Sequence, residues 1–147
     1  MIETNTQKIV AVTPPAAIVN NASFVTATVD TIGFDYVTFL VALGATDIAM
    51  TALKVQESDA ANMSGAADIV GTDFSVSPAS LPTATDDNRL FAVSINMGAG
   101  RKRYLDLVAT AGNGASGIFL TALAILSRAE VLPSSASDRG FTQHLIV

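Results

Sequence analysis

The sequence predicts an all-β fold, an antiparallel β-sandwich, and three observations predict it. Val, Ile, Thr, Phe and Tyr make up a third of the 147 residues, and these side chains suit a pleated, half-buried surface. Glu and Lys number only three each, so the usual solvent-facing residues of helices are nearly absent. Short apolar runs also alternate with period two and are closed by Gly, Pro, Asn and Asp clusters. Alanine, at 24 residues, is the dissenting signal, since it favours helix. The length is that of one domain. The expected core runs from about residue 8 to 130, with an N-terminal arm over 1–7 and a C-terminal arm over 133–147.

The strands follow in order. Lys8–Val12 is a short apolar run closed by Thr13, Pro14 and Pro15. Ser23–Asp30 sets Val25, Ala27 and Val29 against Thr26 and Thr28. Phe34–Leu43 is apolar on both faces and ends at Gly44, and Thr51–Ser58 sets Leu53, Val55 and Glu57 against Lys54 and Gln56. Asp73–Ser77 reads as a brief strand before a loop marked by Pro78, Pro82, Asp86, Asp87 and Asn88. Arg89–Met97 alternates Phe91, Val93, Ile95 and Met97 with Ala92, Ser94 and Asn96. After the turn at Gly98–Gly100, Arg103–Thr110 faces Leu105 and Leu107 inward. Past the glycine-rich turn at 111–117, Ile118–Leu126 is again apolar on both faces. Eight short strands in two sheets match the jelly-roll pattern.

Composition narrows the functional classes. Cysteine is absent, which excludes disulfides, thiolate metal sites and thiol nucleophiles. The single histidine, His144, excludes a histidine metal cage within one chain and makes a Ser-His-Asp arrangement improbable. A net charge of −5 opposes general nucleic-acid binding, and no apolar run is long enough to predict a membrane span or secretory leader. Charged residues are 14% of the chain, where globular domains carry about 25%. The shortfall of about 16 residues approaches one side of a standard interface, about 20–30 residues. The doubly apolar runs Phe34–Leu43 and Ile118–Leu126 sharpen this. Either another chain covers their outer side, or loops do, or the second run is a buried helix.

Each tempting motif has a structural reading beside it. Gly112–Gly117 spells G-x-G-x-x-G, but too little chain follows for a dinucleotide fold, and Asn113-Gly114 is a strong hairpin-turn signal. Asp68, Asp73, Asp86 and Asp87 lack calcium-loop spacing and read as turn residues. Glu57 and Asp59 flank Ser58 with no partner acid in sight. No catalytic residue, cofactor or metal is expected, so the chain reads as a binding protein and not an enzyme. The candidate partner contacts are the basic turn Arg101, Lys102, Arg103 and Tyr104, and the C-terminal residues Phe141, Leu145, Ile146 and Val147. A carbohydrate-binding sandwich is the competing class, although the chain has no Trp and two Tyr.

Three stretches carry a resemblance: Leu53–Asp59, Asp87 through Leu105, and Ala122–Glu130. Together they resemble small virion proteins of tailed bacteriophages, in particular the jelly-roll decoration or cement proteins of the capsid shell. The resemblance implies a homodimer or homotrimer on the capsid surface, bound across joints between major capsid protein subunits, with neither nucleic acid nor membrane as partner. Similar phrases occur in phage tail and head–tail connector β-domains, which leaves the site of assembly open.

Overall fold

A computed structural model describes residues 6–16, 18–98 and 100–146. The strands are β1 (Lys8–Thr13), β2 (Val29–Asp30), β3 (Phe34–Thr46), β4 (Met50–Ser58), β5 (Ala67–Asp68), β6 (Leu90–Asn96), β7 (Tyr104–Ala111) and β8 (Ile118–Ala129). No α-helix occurs among the described residues. The strands form two antiparallel four-stranded sheets, ordered β1-β8-β3-β6 and β2-β7-β4-β5, packed face to face as a β-sandwich. Pairing is nested: β1 lies on β8, β2 on β7, β3 on β6 and β4 on β5.

Period-two alternation sends one side of each long strand into the shared core. β3 contributes Val37, Phe39 and Val41, β4 Leu53 and Val55, β7 Leu105 and Leu107, and β8 Ala122, Ala124 and Leu126, all essentially without solvent contact. Large and small residues meet across the first sheet, where Phe39 pairs with Ala124 and Val41 with Ala122. This is how a chain so rich in alanine fills the space between two sheets. Ile118–Leu126 is therefore a strand and not a helix, and it lies directly beside Phe34–Leu43.

Two predicted strands are corrected. Over Ser23–Asp30 only Val29 and Asp30 join a ladder. The Phe24 amide bonds Ala109 in the second sheet while the Ala27 amide bonds Val12 in the first, so this stretch crosses between sheets and leaves Val25 87% exposed. Asp73–Ser77 is a turn, because the Asp73 carboxylate accepts from the Ser75 amide and the Asp73 carbonyl from Val76. The edge strand is instead Ala67–Asp68, continued beside β4 by the Ile69 and Phe74 amides bonding Val55 and Leu53. The turns at 97–103 and 112–117 are also not hairpins. Each carries the chain from one sheet to the other, since a turn residue specifies reversal but not the strand that receives it.

Candidate interaction surface

The two sheets differ sharply on their outer sides. The second sheet carries Lys54, Gln56 and Asp68 there, with Lys54 Nζ 2.6 Å and Gln56 Nε2 2.7 Å from the Asp68 carboxylate. No charged residue belongs to four cross-strand rows of the first sheet, and the one cation shown against them among the described residues is Arg128, 5.5 Å over the Tyr36 ring at one end. The rows run Ile9–Ile125–Thr38–Ser94, Ala11–Leu123–Leu40–Ala92, Thr121–Ala42–Leu90 and Ser127–Tyr36–Asn96. These side chains alternate with the core residues and so point away from it. They are half-buried by one another or exposed, with Leu90 at 67%. Four strands about 4.8 Å apart and seven residues at about 3.4 Å each cover roughly 450 Å². The face is uncharged and mixes aliphatic residues with Thr38, Ser94, Thr121, Ser127 and Asn96, and its extent matches that of the largest surface patches on monomers, which are often functional.

The basic turn is folded onto acids of its own chain. Arg103 makes a bidentate pair with Asp30 at 2.8 and 2.7 Å, and its guanidinium lies 5.0 Å over the Tyr104 ring. Hydrogen bonding from Arg103 holds the Asp30 carboxyl below its ordinary range, against the opposing effect of partial burial. Arg101 approaches Glu57 at 3.4 Å, the Lys102 amide donates to the same carboxylate, and Lys102 Nζ meets Asp59 at 3.4 Å. Glu57 and Asp59 thus serve as anchors for this turn, and the three cations do not form an open cationic patch.

The C-terminal residues differ from the extended arm that the sequence predicts. Asp138 accepts from the amides of Ser134 and Ser135, and Arg139 donates to the Pro133 and Ser134 carbonyls, closing a compact turn. The Ile9 amide then donates to the Arg139 carbonyl at 2.9 Å, which docks the turn on the edge of β1. Phe141 packs against His144 with ring centroids 5.1 Å apart and planes tilted by 57°. Beyond it Leu145 is 90% exposed and Ile146 about half exposed. Val147, and residues 1–5 of the predicted N-terminal arm, lie outside the described residues.

The glycine-rich loop has its own anion. The Ser116 and Gly117 amides donate to the Asp47 carboxylate at 2.5 and 2.8 Å, occupying donors that a phosphate would need. Those bonds, Gly117 first, hold the Asp47 carboxyl below its usual value. Asn20 braces the same loop through two bonds to Gly114. Asp86 and Asp87 likewise accept from turn amides, at Thr83 and Thr46. An apolar cavity of about 370 Å³ lies between Ala11–Pro14 and Phe24–Ala27, and the buried Phe24 is the one aromatic among the described residues that line it. That is poor material for stacking a sugar.

No protein-family model matches this chain, and neither a curated protein nor a solved structure does.

Proposed function

We propose that this chain is a structural protein of a tailed-phage virion, one that binds the outside of the capsid and stabilises contacts between major capsid protein subunits. The observation that carries the reading is the uncharged outer face of the first sheet. Patches of this size on monomers are often functional, and one without charge is accounted for when another protein covers it. The nested strand pairing supports a jelly roll, since it is the order produced when one long double strand rolls into two sheets. Pairing of the basic turn within the chain moves the expected contact from Arg101–Tyr104 to this face. The mechanism is binding without chemistry: burying an interface at each of many symmetric copies raises the cost of separating the shell's subunits.

The test is co-sedimentation with capsids stripped of the protein, with bound copies counted by quantitative mass spectrometry. Saturable binding over the whole shell is expected, and Leu123→Glu and Ala11→Glu, which place a charge on the face, should abolish it while the circular dichroism spectrum stays the same. No binding overturns the capsid role. A few copies confined to one vertex overturn it in favour of a connector.

A further inference from the structure

A sheet edge offers unpaired amides and carbonyls to any strand of the right length, and proteins normally protect it with charge, proline, bulges or a covering segment. The first sheet has two edges, β1 and β6. That of β1 is covered: Ile9 bonds Arg139 and Val12 bonds Ala27. That of β6 is not. Inward bonding at Asp35–Met97 and Leu43–Arg89 sets the phase, so Phe91, Val93 and Ile95 bond β3. Leu90, Ala92, Ser94 and Asn96 therefore turn their amides and carbonyls outward, and none of these makes a backbone bond among the described residues. The strand, Leu-Phe-Ala-Val-Ser-Ile-Asn, has no charge and no proline, and its ladder with β3 has no bulge. All four outward residues are exposed.

The rim beneath this edge is also open, and it mixes Phe74 and Val70 with the polar Thr72, Asp73 and Arg101. Cavities of about 280 and 200 Å³ lie along β6, one against Ala92–Ser94 and the other against Ser94–Asn96, both floored by the segment after β5. That segment exposes Val70 at 92% and Val76 at 61%.

We propose that two copies of this chain pair β6 to β6, antiparallel across a two-fold axis, to make one eight-stranded sheet. With Val93 on the axis, Leu90 faces Asn96 of the second copy and Ala92 faces Ser94. Every outward amide and carbonyl then gains a partner, because the free groups recur at every second residue, as antiparallel self-pairing requires. The small Ala92 and Ser94 crowd nothing at the centre. In a chain of net charge −5, β6 itself brings no charge to the seam, and the rim below it offers one acid, Asp73, and one base, Arg101. Seven residues of about 3.4 Å and a two-layer rim about 20 Å deep bury roughly 480 Å² per copy. The total, about 960 Å², is the size of a weak, reversible interface. The dimer also joins the two uncharged outer faces into one surface. It shares with the proposed function the premise that the chain works assembled, but it makes no use of a capsid.

The experiment is sedimentation equilibrium of the isolated protein at about 100 μM, the range in which a modest interface of this area associates. The wild type should run as a dimer at twice the 15.1 kDa chain mass. Ala92→Lys should run as a monomer with an unchanged circular dichroism spectrum and melting temperature. Val93→Cys should form an intermolecular disulfide, because residues on the axis lie about 4.5 Å apart at Cα and the native chain has no cysteine to compete. A monomeric wild type, a dimeric Ala92→Lys or an unlinked Val93→Cys each overturns the proposal. So does a monomer whose capsid binding is lost in Ala92→Lys, which would assign the edge to a strand of the shell. Failure to bind capsids with dimerisation intact counts only against the capsid role.

Discussion

Replacing Gly140 with Ala tests whether the C-terminal turn is part of the folded body. Gly140 has φ +85°, and a Cβ there would overlap the carbonyl oxygen of Ile9. The positive φ alone costs about 1 kcal/mol in an alanine. The overlap is backbone against backbone, so no side chain can swing aside. Relief comes when residues 139–141 lift from β1, which breaks the Ile9–Arg139 bond, about 1 kcal/mol net. The two together bring the total to about 2 kcal/mol, or a fall in Tm of roughly 6 °C for a chain of this size. Gly33→Ala is the matched control, with φ +79° and nothing within 4 Å of the added methyl, so it should lose only about 3 °C. Hydrogen exchange should show the Ile9 amide unprotected in Gly140→Ala alone. The loss cannot exceed that of deleting residues 134–147, because a detached segment no longer clashes. Equal losses in the two alanine variants, or a protected Ile9 amide in Gly140→Ala, would refute the docking argument.

Two further outcomes follow from the same geometry. Asp47 is held below the ordinary carboxyl range by the Gly117 and Ser116 amides, so the unfolded chain binds its proton more readily than the folded one. Its stabilisation is complete above the ordinary aspartate value, about 3.9, and is lost as pH falls through the lowered folded value. Urea midpoints measured from pH 6 to pH 2 should therefore fall less steeply for Asp47→Asn than for wild type; parallel curves would show that the loop bonds do not favour the folded carboxylate. On β8, Leu126 faces the core with no exposure and Leu123 faces outward. Leu126→Ala should cost about 2–5 kcal/mol by denaturant titration and Leu123→Ala less than half as much, whereas equal costs would invert the assignment of faces.

Elements with one buried side were legible because alternation is a local property. Leu105 and Leu107 announce β7, and Leu53 and Val55 announce β4, without knowledge of any partner. The stretch 23–28 alternates just as well, but its backbone bonds go to two different sheets, and no local pattern encodes that division. At 73–77 the apolar Phe74 and Val76 imitate a strand, while Asp73 draws the chain into a turn through its own side chain. The basic turn misleads for a related reason. Asp30 lies 73 residues from Arg103 and Glu57 44 residues from Arg101, so charges that look free in the sequence are neutralised by acids that only the fold brings near. Asp47 is likewise 70 residues from Gly117, and nothing around Gly112–Gly117 announces that its amides are already taken. The apolar outer sides of β3 and β8 could be read from composition. Their merger into one face could not, because pairing order is non-local.

That merger gives the low charge content a location. An uncharged core is required of any sandwich and is supplied here by the inner residues of both sheets, so the core does not explain a charged fraction of 14%. The outer side of the second sheet holds Lys54 and Asp68, and the turn at 101–103 holds three cations with their acids. Charge is therefore tolerated wherever the fold meets water on that side. It is missing from the first sheet's outer rows and from all of β6, two regions that meet at Leu90, Ala92, Ser94 and Asn96. A face and an edge that share the same residues and lack charge together are better explained by one assembled state than by two separate accidents of composition. An edge paired through β6 would double the face, and a doubled face offers a partner two copies of each contact at a fixed spacing. Binding would then gain from avidity without any new side chain.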